Sequence, residues 1–135
     1  MVRYHHLRNL WLTLTAVGSL GFANPAAAQD AERGLELIRA SEKGNCSICH
    51  LVPGIGLPDE AQGNIGPSLE GVGARLTPAE LRARIVDARA MNPETIMPPY
   101  GSTEGLVDVD KRYRGRPILT AGEIADIVAY LSSLR

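Results

Sequence analysis

The sequence is short of aromatic side chains and of cysteine. Its 135 residues include one Trp, one Phe, four Tyr and two Cys. Two cysteines exclude the disulfide-dense scaffolds that staple small secreted domains. Of three histidines, His5 and His6 lie in a segment read below as a leader, which leaves too few ligands for a zinc site of four, or of three plus water. Cations are not in excess: 14 Lys and Arg stand against 15 Asp and Glu. A nucleic-acid partner, which usually meets a basic domain, is not expected. Long apolar runs are also missing. The stretch Leu10–Gly18 falls well below the ~20 residues that span a bilayer.

That stretch belongs to a leader. Arg3 and Arg8 begin it, the apolar run follows, and Ala26-Ala27-Ala28 supplies small residues where a signal peptidase reads. Positive, apolar, then A-x-A predicts a secretory signal over residues 1–28. An uncleaved N-terminal anchor is the alternative, and polar Gln29-Asp30 argues against it. Cleavage leaves one domain, 29–135, destined for the periplasm, with no membrane span in the mature chain. That domain carries 12 cations against 15 carboxylates, since the leader holds two Arg and no acid. It keeps only Tyr100, Tyr113 and Tyr130 as aromatics. Aromatics supply much of the buried area of ordinary cores, so this core needs something else to fill it.

Both cysteines lie in Cys46-Ser47-Ile48-Cys49-His50. This C-x-x-C-H spacing is the attachment pattern of a c-type haem. Each thiol adds across one vinyl group to make a thioether, and the adjacent imidazole falls under the iron. A thioredoxin-like dithiol would sit in a βαβ context, which is missing around the motif. A small disulfide loop with an idle histidine is the plain alternative. A buried porphyrin also answers the shortage of aromatics.

Around the motif the pattern is helical, with long loops. Asp30 is an N-cap for a helix running to about Ser41, with Leu35 and Ile38 on one face. Lys43-Gly44-Asn45 breaks it. Residues 51–66 are rich in Gly and Pro and predict a long irregular segment, which in a compact domain usually has a function. Thr77-Pro78-Ala79-Glu80 is a capping pattern with Pro at the first helical position. Leu81, Ile85 and Ala88 continue it, and Asn92-Pro93 predicts its stop. Thr120-Ala121-Gly122-Glu123 repeats the cap ahead of Ile124, Ile127, Val128 and Leu131. The expected fold is all-α.

Haem iron held by His and Met is the electron-transfer arrangement. Met1 leaves with the leader, so the candidates for the sixth ligand are Met91 and Met97. Met97 is favoured because Pro98 and Pro99 stiffen its loop and hold it away from helical geometry. Met91 closes the middle helix, where packing is the commoner task. The sequence leaves open that both are packing residues and that another group takes the sixth position. The proximal imidazole needs an acceptor for its other N–H. The Pro67 carbonyl, in Gly66-Pro67-Ser68-Leu69, is the candidate, and an ordinary turn proline is the alternative.

The set of C-x-x-C-H, Gly-Pro-Ser-Leu and Met-Pro-Pro between two terminal helices resembles the class I cytochromes c, domains wrapped around one covalent haem. Residues 63–73 (GNIGPSLEGVG), 89–100 (RAMNPETIMPPY) and 116–120 (RPILT) are similar to the SoxX family. The resemblance covers nearly the whole mature domain. It implies thioether bonds at Cys46 and Cys49 and iron ligands at His50 and Met97. It also implies a heterodimer with a SoxA-type cytochrome subunit, acting as an L-cysteine S-thiosulfotransferase. In that reaction thiosulfate is oxidatively coupled to a cysteine of a SoxY-type carrier protein, and electrons leave through haem to a downstream acceptor. The residues alone agree on one point: with both cysteines in thioethers, no thiol remains to carry sulfur.

Two other functions compete. A free-standing electron shuttle would purify without a partner. A haem peroxidase needs an open iron position and a distal acid or base, and His50 is the last histidine left after cleavage. The charged run Asp108–Arg116 is a candidate docking segment, although solvated loops are the more common fate of such runs.

Overall fold

A computed structural model describes residues 29–135; the expected leader, 1–28, lies outside the described residues. Four α-helices form: α1 (Ala31–Arg39), α2 (Val72–Arg75), α3 (Pro78–Asp87) and α4 (Ala121–Ser133). Short 3₁₀ turns occur at Cys46–Ile48, Asp59–Ala61 and Ala88–Ala90, and no strand forms among the described residues. The fold is all-α with long loops, as the sequence predicts.

The caps explain where the helices begin. The Asp30 carboxylate accepts from the N–H groups of Glu32 and Arg33 at 3.0 and 3.1 Å. Thr77 and Thr120 each complete a reciprocal capping box, with Glu80 and Glu123. These bonds satisfy donors that a bare helix start leaves unpaired.

The helix ends differ from expectation. α1 stops at Arg39, short of Ser41. Its inward face is Gly34, Leu37 and Ile38, with Leu35 only partly buried against the core. α3 stops at Asp87, not at Asn92-Pro93. Asp87 takes extended geometry (φ −162°, ψ 97°). Its carboxylate accepts from the Arg89 backbone N–H at 3.1 Å and from Arg89 Nε at 2.8 Å. A side chain that bonds the backbone two residues on competes with the helix, and here it wins.

α4 is the centre of the domain and packs against α1, α2 and α3. Its Ile124, Ile127, Val128 and Leu131 are all buried, with Leu81 and Ile85 of α3 and Ile38 of α1 in the same core. α1 and α4 meet backbone to backbone: a methyl on Gly34 would collide with the Asp126 carbonyl. The polar end of this contact is also tied down. Asp126 accepts from the Asp30 N–H at 3.0 Å and pairs with Arg33 at 3.4 Å. Lys43 pairs with Glu123 at 2.7 Å. Among the described residues no helix is long and apolar enough to cross a membrane.

Candidate haem-binding site

The C-x-x-C-H segment closes into one turn. The Cys46 carbonyl accepts from the N–H of Cys49 at 3.2 Å and of His50 at 2.9 Å. Asn45, in the left-handed region (φ 45°, ψ 38°), turns the chain into it. Gly44 allows the turn to lie against the end of α1. A Cβ there would stand 2.7 Å from the Leu37 carbonyl oxygen and 3.1 Å from Cys46 Sγ. The result is that Cys46, Cys49 and His50 all line one cavity.

His50 is held from behind. Its Nδ1 donates to the Pro67 carbonyl at 2.7 Å. A carbonyl only accepts, so the proton is on Nδ1 and Nε2 keeps the lone pair that a metal requires. The loop that delivers this carbonyl is stitched to the motif: Gly66 N–H donates to Cys49 O at 2.8 Å, and Leu69 N–H to Leu51 O at 2.9 Å. Gly66 leaves no room for a side chain, because a Cβ would fall on the His50 ring.

Met97 lines the same cavity, and Met91 does not. Met91 is exposed, at 44%, so the packing role expected of it does not occur. It follows the 3₁₀ turn 88–90, beyond the end of α3. The Met97 loop is anchored on its far side by Tyr100. Tyr100 N–H donates to Ile85 O at 3.2 Å, and Tyr100 O accepts from Leu119 N–H at 2.9 Å. The Tyr100 hydroxyl donates to the Gly44 carbonyl at 2.8 Å. That bond ties the Met97 loop to the residue two before Cys46. It joins positions 56 apart, and nothing local in the sequence announces it.

The cavity has a volume of about 680 Å³, within the ~300–1,000 Å³ usual for ligand sites. Its walls include Leu81, Ile85, Leu119, Ile127 and Leu131 from the core itself, with Arg75 and Arg84 also on its lining. The space therefore sits where aromatic side chains would fill an ordinary core. Burial pushes the Cys46 thiol up to about 11, with a smaller lift from Cys49 against a lowering backbone hydrogen bond. Burial likewise pushes Tyr100 up to about 12. Among the described residues no group of three or more His, Cys, Asp or Glu comes together as a metal site of the usual kind. An imidazole with its Nδ1 fixed, a thioether and two thiols on one apolar cavity are instead the donor set that suits a covalent haem.

The comparisons agree. The family model described as Cytochrome c matches residues 31–135, and this chain belongs to the cytochrome c family. The fold is that of a class I cytochrome c, and the cofactor is one covalently attached haem c. The chain is also similar to a chain of the crystal structure of SoxXA from P. pantotrophus. That match has 32% identity and a TM-score of 0.69, covering 81% of this chain and 84% of that one. This likeness supports a cytochrome of the SoxX type. A relative from Aquifex aeolicus (strain VF5), described as an uncharacterized lipoprotein, is 41% identical over 93 residues. The match takes in 67% of this chain but only 37% of that protein's length.

Proposed function

We propose that this chain is the haem subunit of a SoxAX-type complex in the periplasm, where it accepts electrons while thiosulfate is joined to a carrier cysteine. The observation that carries the reading is the 32% identity to the SoxXA chain over 81% of this one, together with the placement of Cys46, Cys49, His50 and Met97 on one cavity. The expected leader at 1–28 supports the compartment. In this reading Cys46 and Cys49 hold the haem by thioethers, and His50 and Met97 are its iron ligands.

The chemistry divides between subunits. The carrier thiolate and the outer sulfur of thiosulfate form an S–S bond, giving a cysteine S-thiosulfonate and two electrons. When bound, the haem supplies one-electron Fe(III)/Fe(II) chemistry at a potential raised by thioether ligation. The chain's own residues set the conditions. Pro67 fixes the His50 tautomer, so the imidazole presents a constant donor. The cavity walls are mostly apolar side chains. With His50 and Met97 both holding the iron, no position would be left for substrate, and electrons would come from a SoxA-type partner by outer-sphere transfer. With both thiols in thioethers, this chain carries no sulfur itself, and the sulfur-handling cysteine belongs to that partner.

The test is reconstitution. The haem-loaded chain, the SoxA-type subunit and the SoxY-type carrier are assayed alone and mixed, with thiosulfate and a cytochrome acceptor. Thiosulfate-dependent haem reduction is expected only in the full mixture. Turnover by this chain alone contradicts the reading. A chain that purifies alone and binds no SoxA-type subunit is a free electron shuttle.

A further inference from the structure

Pro67 has no N–H of its own, so the carbonyl it offers to His50 is placed by whatever holds its neighbours. Before it, Gly66 N–H is bonded to the Cys49 carbonyl at 2.8 Å. After it, the chain runs Ser68-Leu69-Glu70-Gly71 into α2, and two carbonyls of that run end on one side chain. Arg75 Nη2 donates to the Ser68 carbonyl at 3.0 Å, and Arg75 Nη1 donates to the Glu70 carbonyl. The Ser68 carbonyl and the Leu69 N–H belong to one planar peptide unit. Leu51 O takes the N–H at 2.9 Å and Arg75 holds the carbonyl. The peptide that follows the Pro67 carbonyl is thus fixed on both of its edges.

The guanidinium is itself well anchored. Arg75 is the last residue of α2, a helix of four residues, Val72–Arg75. Four residues are far too few to hold a helix in isolation. Here α2 is fixed to the end of α4: Gly73 N–H donates to Leu134 O at 2.8 Å, and a Cβ on Gly73 would stand 2.4 Å from the Ser132 carbonyl oxygen. Helical side chains lean toward the N-terminus of their helix, which brings Arg75 back over residues 68–70. Gly71, at φ 59°, turns the chain beneath it, and a Cβ there would lie 3.4 Å from Nη1. A continuous set of contacts therefore runs from α4 through α2 and Arg75 to Ser68, Pro67 and His50.

The use made of this cation is specific. The ion pairs among the described residues do not include Arg75. It lies on the haem-cavity lining, yet its hydrogen bonds go to backbone carbonyls. A planar fork of N–H donors can span two carbonyls at fixed spacing, which the point charge of a lysine cannot do.

We propose that Arg75 is a positioning residue for the iron centre: its clasp on the Ser68 and Glu70 carbonyls holds the Pro67 carbonyl on His50 Nδ1 and so sets the donor strength of the proximal imidazole. An imidazole whose N–H is held by an acceptor is a more basic ligand, and a stronger donor favours ferric over ferrous iron. Loosening the clasp weakens that donor and raises the reduction potential. Arg75 has this role only where His50 ligates the iron; thiosulfate coupling does not enter.

The test uses the haem-loaded chain and two variants. Arg75→Lys keeps the cation and loses the fork; Arg75→Met loses both. Solvent exchange of the His50 Nδ1–H is followed by NMR in the ferrous protein. It is expected to quicken about tenfold in both variants, as protection of that proton falls by roughly the worth of one hydrogen bond. Arg75→Lys is expected to raise the reduction potential while the sulfur-to-ferric-iron band of Met97 is retained. Arg82→Met is the control. Arg82 also donates to a backbone carbonyl, that of Ala121 at 3.4 Å, but it is not on the cavity lining. Exchange and potential are expected to stay at parent values in Arg82→Met, whatever happens to its Tm. A parent chain whose ferrous spectrum lacks the ring protons of an iron-bound His50 would refute the ligand reading, and the role of Arg75 with it, before any variant is made. Parent-like exchange in both Arg75 variants overturns the proposal, even where Tm falls. So does a potential that moves while the exchange does not, since Arg75 would then act on the haem and not through Pro67.

Discussion

The Tyr100 hydroxyl donates to the Gly44 carbonyl at 2.8 Å. One bond thus connects the loop that carries Met97 to the turn that carries Cys46, Cys49 and His50. The two halves of the haem site are joined at Tyr100 by a bond between positions 56 apart in the chain. Tyr100→Phe keeps the ring and removes the bond, leaving the Gly44 carbonyl without its partner. Loss of one such hydrogen bond costs about 1 kcal/mol, or a fall in Tm of about 4–8 °C for a domain of this size. Thermal unfolding of the haem-loaded chain checks it.

Tyr100 also predicts an alkaline limit. Burial pushes its phenol up to about 12, with smaller contributions from Cys46 and Cys49. Once both cysteines are thioethers, burial alone remains as the cause. The unfolded chain releases this proton near ~10. Stability from Tyr100 is therefore complete below that pH and is lost as pH rises toward 12. The variant Tyr100→Phe is expected to flatten the fall in stability over that window, measured by denaturant titrations at successive pH values.

Glu123 contributes to the acid limb. Burial alone would raise its carboxyl, but the hydrogen bond from Lys43 and those from Thr120 outweigh it and hold the group below its usual range. A depressed carboxylate stabilises fully above its unfolded value and loses that stabilisation as pH falls through the folded one. Glu123→Gln is expected to cost on the order of 1–2 kcal/mol near neutral pH and to weaken the pH dependence between about 5 and the acid transition. A variant whose acid limb matches the parent's would mean that Glu123 carries no such linkage.

Gly66→Ala tests how closely the loop is fitted to the proximal ligand. The added methyl would overlap the His50 ring, so the ring or the loop must move and the 2.7 Å bond to Pro67 must lengthen. Lower haem incorporation and a shifted reduction potential are expected. Wild-type values for both would show that the loop gives way without cost.

Met97→Ala and Met91→Ala separate the two thioethers. Met97 lines the cavity, whereas Met91 is 44% exposed and is not on its lining. Loss of the sulfur-to-ferric-iron absorption band and a lower reduction potential are expected from Met97→Ala. Met91→Ala is expected to leave both near their wild-type values. The reverse pattern would make Met91 the ligand.

Local chemistry was the legible part of this chain. Asp30, Thr77 and Thr120 marked three helix starts because a cap acts within three residues of itself. The C-x-x-C-H spacing and the lack of aromatics pointed to a cofactor in the core, and the cavity lies there. What could not be read was set by contacts between distant positions. Ending α3 at Asp87 depends on an Asp87–Arg89 clasp that competes with a better-known Asn-Pro stop. Leu37 is buried in the core and Leu35 only partly, while α1 meets α4 at Gly34. The roles of Tyr100 and Glu123 depend on partners at Gly44 and Lys43, which only the folded chain brings near.

Attachment of the haem is the point on which the rest depends. The most direct measurement is the intact mass of the chain produced with a cytochrome c maturation system, followed by peptide mapping. The result expected is the polypeptide plus one haem, carried by the peptide containing Cys46 and Cys49, and lost as a covalent adduct in the double variant Cys46→Ala/Cys49→Ala. A mass without haem, or a haem released by acid–acetone extraction, would contradict the account.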